Sequence, residues 1–146
     1  MAAYRSLRRL NGAVSPCLEL SALSSGVAPC ADELALPVLE ELTALAIDHL
    51  GDANDLWSYH KEFQEPGAIP TLLPHVLMAE RDISLPEAVT ATANLCDDLI
   101  RAFQNKASTI EPTAPVQILR YLDVLRAWVR GNLEWSAHCH RYHLEG

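Results

Sequence analysis

No run of the chain approaches the roughly 18 uninterrupted apolar residues that cross a bilayer. The arginines near its start are not followed by the apolar stretch of a secretory leader. The expectation is a soluble, cytoplasmic protein with no membrane partner. Cys17, Cys30, Cys96 and Cys139 are widely spaced and form no C-x-x-C pair, so a zinc ribbon and a thioredoxin-like centre have no support and reduced thiols are expected. Positive charge is scarce, with 11 Lys and Arg against 19 Asp and Glu and a formal net charge of −8, which argues against a nucleic-acid partner. No segment sustains period-2 alternation, and neither an internal repeat nor a low-complexity tract occurs, which removes sheet and solenoid architectures.

What is present is helical periodicity. The 146 residues suffice for one domain with a single core, and the fold class expected is all-α. Residues 1–10 read as a short helix ending at Asn11-Gly12, a pair tolerant of left-handed backbone, and Ser15-Pro16 opens a second helix stopped by Gly26. From Leu36 to Phe63 the positions Leu39, Leu42, Leu45, Ala46, Leu50 and Ala53 keep 3-and-4 spacing, with Gly51 interrupting the pattern without ending it. Pro66, Gly67, Pro70 and Pro74 make residues 64–83 a loop with one short helix over His75–Arg81. Ser84, Pro86 and Glu87 form a helix start, the next helix runs to about residue 107, and "STIEPTAP" reads as a linker. A last helix spans Val116 to about His138.

One stripe of the long helix carries chemistry. In "NDLWSYHKE", Asn54, Ser58 and Glu62 recur every four residues, which keeps them on one face with about 40° of drift per step. An amide, a hydroxyl and a carboxylate, with room for water and a ligand, match the needs of Mg²⁺, which keeps part of its hydration shell and is often shared with phosphates. A second cluster, His138, Cys139, His140 and His143, has spacings that do not stack on one helical face and reads as a chain end. Asp97-Asp98 in "CDDLIR" reads as a solvated helix face.

The stripe resembles the second metal-binding motif of class I terpene synthases, (N/D)D-x-x-(S/T)-x-x-x-E. "WVRGNLEWSAHCHRY" looks like the C-terminal W-x-x-G-N-x-x-W-S…R-Y segment of bacterial-type members. "YRSLRRLNGAV" resembles their helix-break region, with Arg8 at the separation from Asn54 that bacterial members keep and Arg9 as its nearest competitor. The resemblance covers residues 4–142. It implies Asn54, Ser58 and Glu62 as ligands of one Mg²⁺, Arg8, Lys61, Arg141 and Tyr142 as diphosphate-binding residues, and Arg8, Asn11 and Gly12 as the sensor, linker and effector that act in catalysis.

The fold implied is part of the class I terpenoid synthase α-helical bundle, with residues 1–146 as the C-terminal portion of a single terpene synthase domain. Mg²⁺-dependent ionisation of an isoprenyl diphosphate, farnesyl diphosphate favoured, followed by carbocation cyclisation and release of diphosphate, is the lyase activity implied. Trp57, Tyr59, Tyr121, Trp128 and Trp135 are candidate pocket walls. The aspartate-rich D-D-x-x-D/E motif that the family carries upstream of the sensor is not in this sequence, so the expectation is a chain that needs upstream helices for turnover. Self-association through an exposed apolar flank is a further expectation. The alternative is a catalytically inactive helical fragment or remnant that binds a partner or diphosphate without turnover.

Overall fold

The computed structural model describes residues 1–27, 33, 36–63 and 71–142; Cys30, the greater part of the proline-rich loop over 64–70, and His143 lie outside the described residues. Six helices make up the regular structure among the described residues: α1 (Ala2–Asn11), α2 (Val14–Ser24), α3 (Pro37–Phe63), α4 (Leu73–Arg81), α5 (Leu85–Ile110) and α6 (Val116–His138). The all-α class and all six expected helix starts agree with the sequence pattern, the starts to within two residues. None of the described helices is long and apolar enough to cross a membrane.

Three local details differ from expectation, each for a physical reason. The left-handed residue of the first break is Ala13 (φ 51°), whereas Gly12 stays right-handed (φ −76°). Glycine is needed at 12 for space, because a Cβ there would stand 2.9 Å from the Arg8 carbonyl oxygen, which accepts the Gly12 N–H. The turn at Ala13 opens α2 at Val14, so Ser15 lies inside the first turn and does not cap it. Helix α5 runs on to Ile110, which shortens the linker. Ser108 and Thr109 do not break it, since their hydroxyls donate to the carbonyls of Asn105 and Lys106, and Ile110 packs on the core.

Helix α3 is the organising element. Its first half is apolar, and Leu39, Leu42 and Ala46 pack with Leu18 of α2, Phe103 of α5 and Leu122 of α6 in the larger core. Tyr121, a candidate pocket wall, belongs to this core instead and bonds Thr43 Oγ1 through its hydroxyl at 3.1 Å. A smaller core joins Tyr4 of α1, Leu73 and Leu77 of α4, and Ala88 of α5. The second half of α3 buries polar side chains, Asp48, Asp52, Asp55 and Ser58, along one 3-and-4 stripe. Several apolar side chains of α1, α2 and α6 face outward, among them Leu10, Leu20, Leu23 and Trp135.

Candidate functional site

The buried acids of α3 hold α1 across them. Arg5 donates to Asp52 (Nη2 to Oδ2, 2.7 Å) and reaches Asp48 at 3.4 Å, while Arg9 grips both oxygens of Asp48 at 2.6 Å each. Arg5 and Arg9 stand one helical turn apart, and so do Asp48 and Asp52, so two helical stripes interlock. Burial pushes Asp52 up to about 6 against the downward pull of Arg5. Neither Arg5 nor the two acids stood out as site residues in the sequence. The signal was available, since an acidic 3-and-4 series at 48, 52 and 55 within an apolar-periodic helix calls for a basic partner.

Arg8 takes a different direction from its neighbours. Its side chain passes over Gly51, where an added Cβ would meet Arg8 Cγ at 3.3 Å. Its Nη2 then donates to Asn54 Oδ1 at 2.7 Å and lies 2.8 Å from Asp55 Oδ1. Asn54 in turn donates through Nδ2 to the Tyr142 hydroxyl at 2.8 Å. Three side chains from α1, α3 and the segment after α6 are therefore joined through one amide. Arg9, the competitor for the sensor position, is committed to Asp48 and does not join them.

A cavity of about 240 Å³ opens beside this chain of bonds, lined by Arg8, Asn11, Gly12 and Asn54 with Trp128 and Asn132 of α6 among its other walls. Asn132 was not singled out beforehand. Its Oδ1 is buried without a hydrogen-bond partner, and it stands four residues after Trp128, which puts both on the cavity side of α6. Ser58, one turn beyond Asn54, is fully buried and its Oγ has no partner. A buried orphan hydroxyl is uncommon and asks for a ligand.

Asp55 is buried between these groups. Burial pushes its carboxyl up to about 7, the Leu73 N–H lowers it, and the charge of Glu62 raises it again. The Leu73 N–H donates to Asp55 Oδ2 at 2.9 Å, which ties the start of α4 to the stripe across the proline-rich segment. Glu62 and Lys61 are half-buried at the end of α3 and do not line the cavity beside Asn54. Arg141 is exposed, with its guanidinium carbon 5.8 Å from the centre of the Tyr142 ring. Trp57 and Trp135 flank that ring at 6.5 and 5.8 Å between centroids. In the histidine-rich tail, His138 Nδ1 contacts the Glu134 carbonyl and Cys139 Sγ the Ser136 carbonyl.

The residues present fit Mg²⁺ by donor chemistry. Asn54, Ser58 and Glu62 offer only oxygens, and Ser58 Oγ is unspent. Asn54 Oδ1, the atom that would face a cation, accepts from the Arg8 guanidinium. The Arg8–Asn54 bond therefore satisfies both groups when neither has a ligand.

A family model described as terpene synthase family 2, C-terminal metal binding, matches residues 1–102. Spiroviolene synthase of Streptomyces violens is 32% identical over 139 residues, covering 95% of this chain and 38% of that protein. The 2-methylisoborneol synthase of Streptomyces griseus is 31% identical over 144 residues, covering 97% of this chain and 32% of that protein. The crystal structure of 2-methylisoborneol synthase from Streptomyces coelicolor A3(2), in complex with Mg²⁺ and geranyl-S-thiolodiphosphate, superposes with a TM-score of 0.80 at 30% identity, covering 89% of this chain and 41% of that one. The chain thus spans between about a third and two-fifths of the length of these relatives.

Proposed function

Since the chain belongs to the terpene synthase family, as the match over residues 1–102 establishes, we propose that it supplies a Mg²⁺ and diphosphate clamp for ionising an isoprenyl diphosphate. The observation that carries this reading is the Arg8–Asn54–Tyr142 chain of hydrogen bonds beside the buried, unpartnered Ser58 hydroxyl. Asn54, Ser58 and Glu62 would hold one Mg²⁺. When bound, that ion would supply Lewis-acid stabilisation of the charge gathering on the leaving diphosphate.

The protein's own groups complete the task. Arg8 would exchange its bond to Asn54 for one to a diphosphate oxygen, gaining a charge-assisted partner and freeing Asn54 Oδ1. Tyr142 and Arg141 would donate from the far side, and Lys61 from the end of α3. Asn11 and Gly12 lie at the wall of the same cavity, where the missing Cβ lets main chain approach the substrate. Heterolysis of the carbon–oxygen bond sends the electron pair to diphosphate and leaves an allylic cation, and the face of Trp128 is suited to stabilise it. Farnesyl diphosphate is the first substrate to test, with geranyl diphosphate next because the relative of known structure binds its thiolo analogue. Cyclisation by the whole protein is part of the proposal, and so is a cytoplasmic location.

Calorimetric titration of the purified chain with inorganic diphosphate, with and without Mg²⁺, tests the clamp. Saturable binding that needs Mg²⁺ is expected, with loss of at least tenfold in affinity in Asn54→Ala and in Glu62→Gln. Arg8→Ala should weaken diphosphate binding more than Arg9→Ala does. Unchanged binding in both ligand variants would refute the assignment, and a larger effect from Arg9 would move the sensor by one position.

A further inference from the structure

Helix α3 presents two stripes at 3-and-4 spacing, and only one belongs to the site above. Ile47, Leu50, Gly51 and Asn54 face the Arg8 cavity, whereas His49, Ala53, Leu56 and Trp57 line a separate groove of about 510 Å³ closed by α5 and by Leu133 of α6. The groove is walled by aliphatic and indole surface, with Ala93, Cys96 and Ile100 contributed by α5. Asp97 and Arg101 stand at its exposed rim, and Arg101 is engaged by Asp98 at 2.7 Å.

One polar side chain is built into that wall without a complete set of partners. His49 is 3% exposed, and its Nδ1 lies 3.3 Å from the carbonyl oxygen of Cys96. A carbonyl only accepts, so Nδ1 carries the ring proton and Nε2 is left as a lone-pair acceptor. That Nε2 is buried and has no hydrogen-bond partner. Desolvation keeps the ring below its ordinary value, despite the Cys96 carbonyl and the charge of Asp97, so the imidazole is neutral near pH 7. Burial likewise pushes the Cys96 thiol up to about 12, which keeps it uncharged.

We propose that this groove is a second ligand site, distinct from the diphosphate clamp, for an uncharged apolar molecule carrying a hydroxyl that donates to His49 Nε2. A carboxylate or phosphate would find only the Trp57 indole N–H and, at the rim, the Arg101 guanidinium already engaged by Asp98, and would stand beside the charge of Asp97. A cation would have to shed its water against apolar surface. A pure hydrocarbon would leave Nε2 unsatisfied, as would an ether, which only accepts. An alcohol alone among these answers both the surface and the acceptor.

The test uses octan-1-ol as probe, with 1-methoxyoctane and octanoate as comparators, added to the ¹⁵N-labelled full chain. Long-range ¹⁵N–¹H spectra of the histidine rings should show His49 Nε2 shifting saturably with octan-1-ol, while Nδ1 keeps its proton. The alcohol should bind at least tenfold more tightly than the ether or the carboxylate. His49→Phe should bring the alcohol down to the ether's affinity, and Ala93→Phe, which fills the groove and leaves His49 in place, should abolish binding. Mg²⁺-dependent diphosphate titration run on the same variants reports the first site separately, so loss of either leaves the other readable. Equal affinity for alcohol and ether, a His49 signal that does not move, binding that survives Ala93→Phe, or no saturation up to the solubility of the probe would each overturn the proposal.

Discussion

At the scale of single residues, the two glycines that matter are governed by contact distance, since both have backbone angles open to any residue. Gly51 sits inside a helix, where alanine is favoured by up to about 1 kcal/mol. An alanine Cβ at 51 would press on Arg8 Cγ at 3.3 Å, a distance that Arg8 must relieve by moving a few tenths of an ångström. The bond from Arg8 to Asn54 depends on that path. Gly51→Ala should therefore raise the urea midpoint or leave it unchanged while lowering Mg²⁺-dependent diphosphate affinity by roughly tenfold, because small misplacements of an anion-binding group are amplified in the site it serves. A variant that is more stable and binds diphosphate as well as the parent would show that Arg8's route over α3 is irrelevant.

At the scale of elements, what was legible in the sequence is what depends on neighbours along the chain. The start of α5 is the clearest instance: the Ser84 N–H donates to Glu87 Oε2 at 2.9 Å and the Glu87 N–H faces the Ser84 side chain, the reciprocal pair of the capping box that Ser-x-x-Glu announces, while the Ser84 hydroxyl also donates to Glu87 Oε2 at 2.6 Å. Ser84→Ala should cost about 1 kcal/mol in urea unfolding. Its effect on diphosphate affinity should be nil, since Ser84 and Glu87 are exposed and no residue of α5 lines the cavity beside Asn54. A loss of affinity on that substitution would couple the two. The stripe at Asn54, Ser58 and Glu62 was readable for the same reason, because one helix sets all three positions. What was hidden involves partners far apart in sequence. The interlock of Arg5 and Arg9 with Asp48 and Asp52 spans 39 to 47 residues. The left-handed Ala13 and the run-on of α5 to Ile110 were hidden too, because packing decided them against local preference.

At the scale of the whole molecule, the buried polar stripe of α3 makes stability a function of pH, and two kinds of group pull in opposite directions. Asp52 and Asp55, pushed up to about 6 and about 7, bind protons more readily in the native state than in the unfolded chain, where a carboxyl titrates near 3.9. Their contribution to stability therefore falls as pH rises from about 4 to about 7. His49 acts the other way. Its native value lies below the unfolded value of about 6.5, so its contribution is complete above that pH and is lost as pH falls through it, at up to about 1.4 kcal/mol per pH unit. Because the trends overlap, the net profile of the parent does not isolate either group, whereas a difference between variants does. The urea-unfolding free energy of the parent minus that of His49→Phe should be flat from pH 8 to about 6.5 and then drop as pH is lowered toward 5, leaving the variant with only the carboxylates' acid-favouring trend. A difference that stays constant across this range would mean that His49 takes up its proton equally in both states. The imidazole would then be too well solvated to serve as the buried neutral acceptor in the groove.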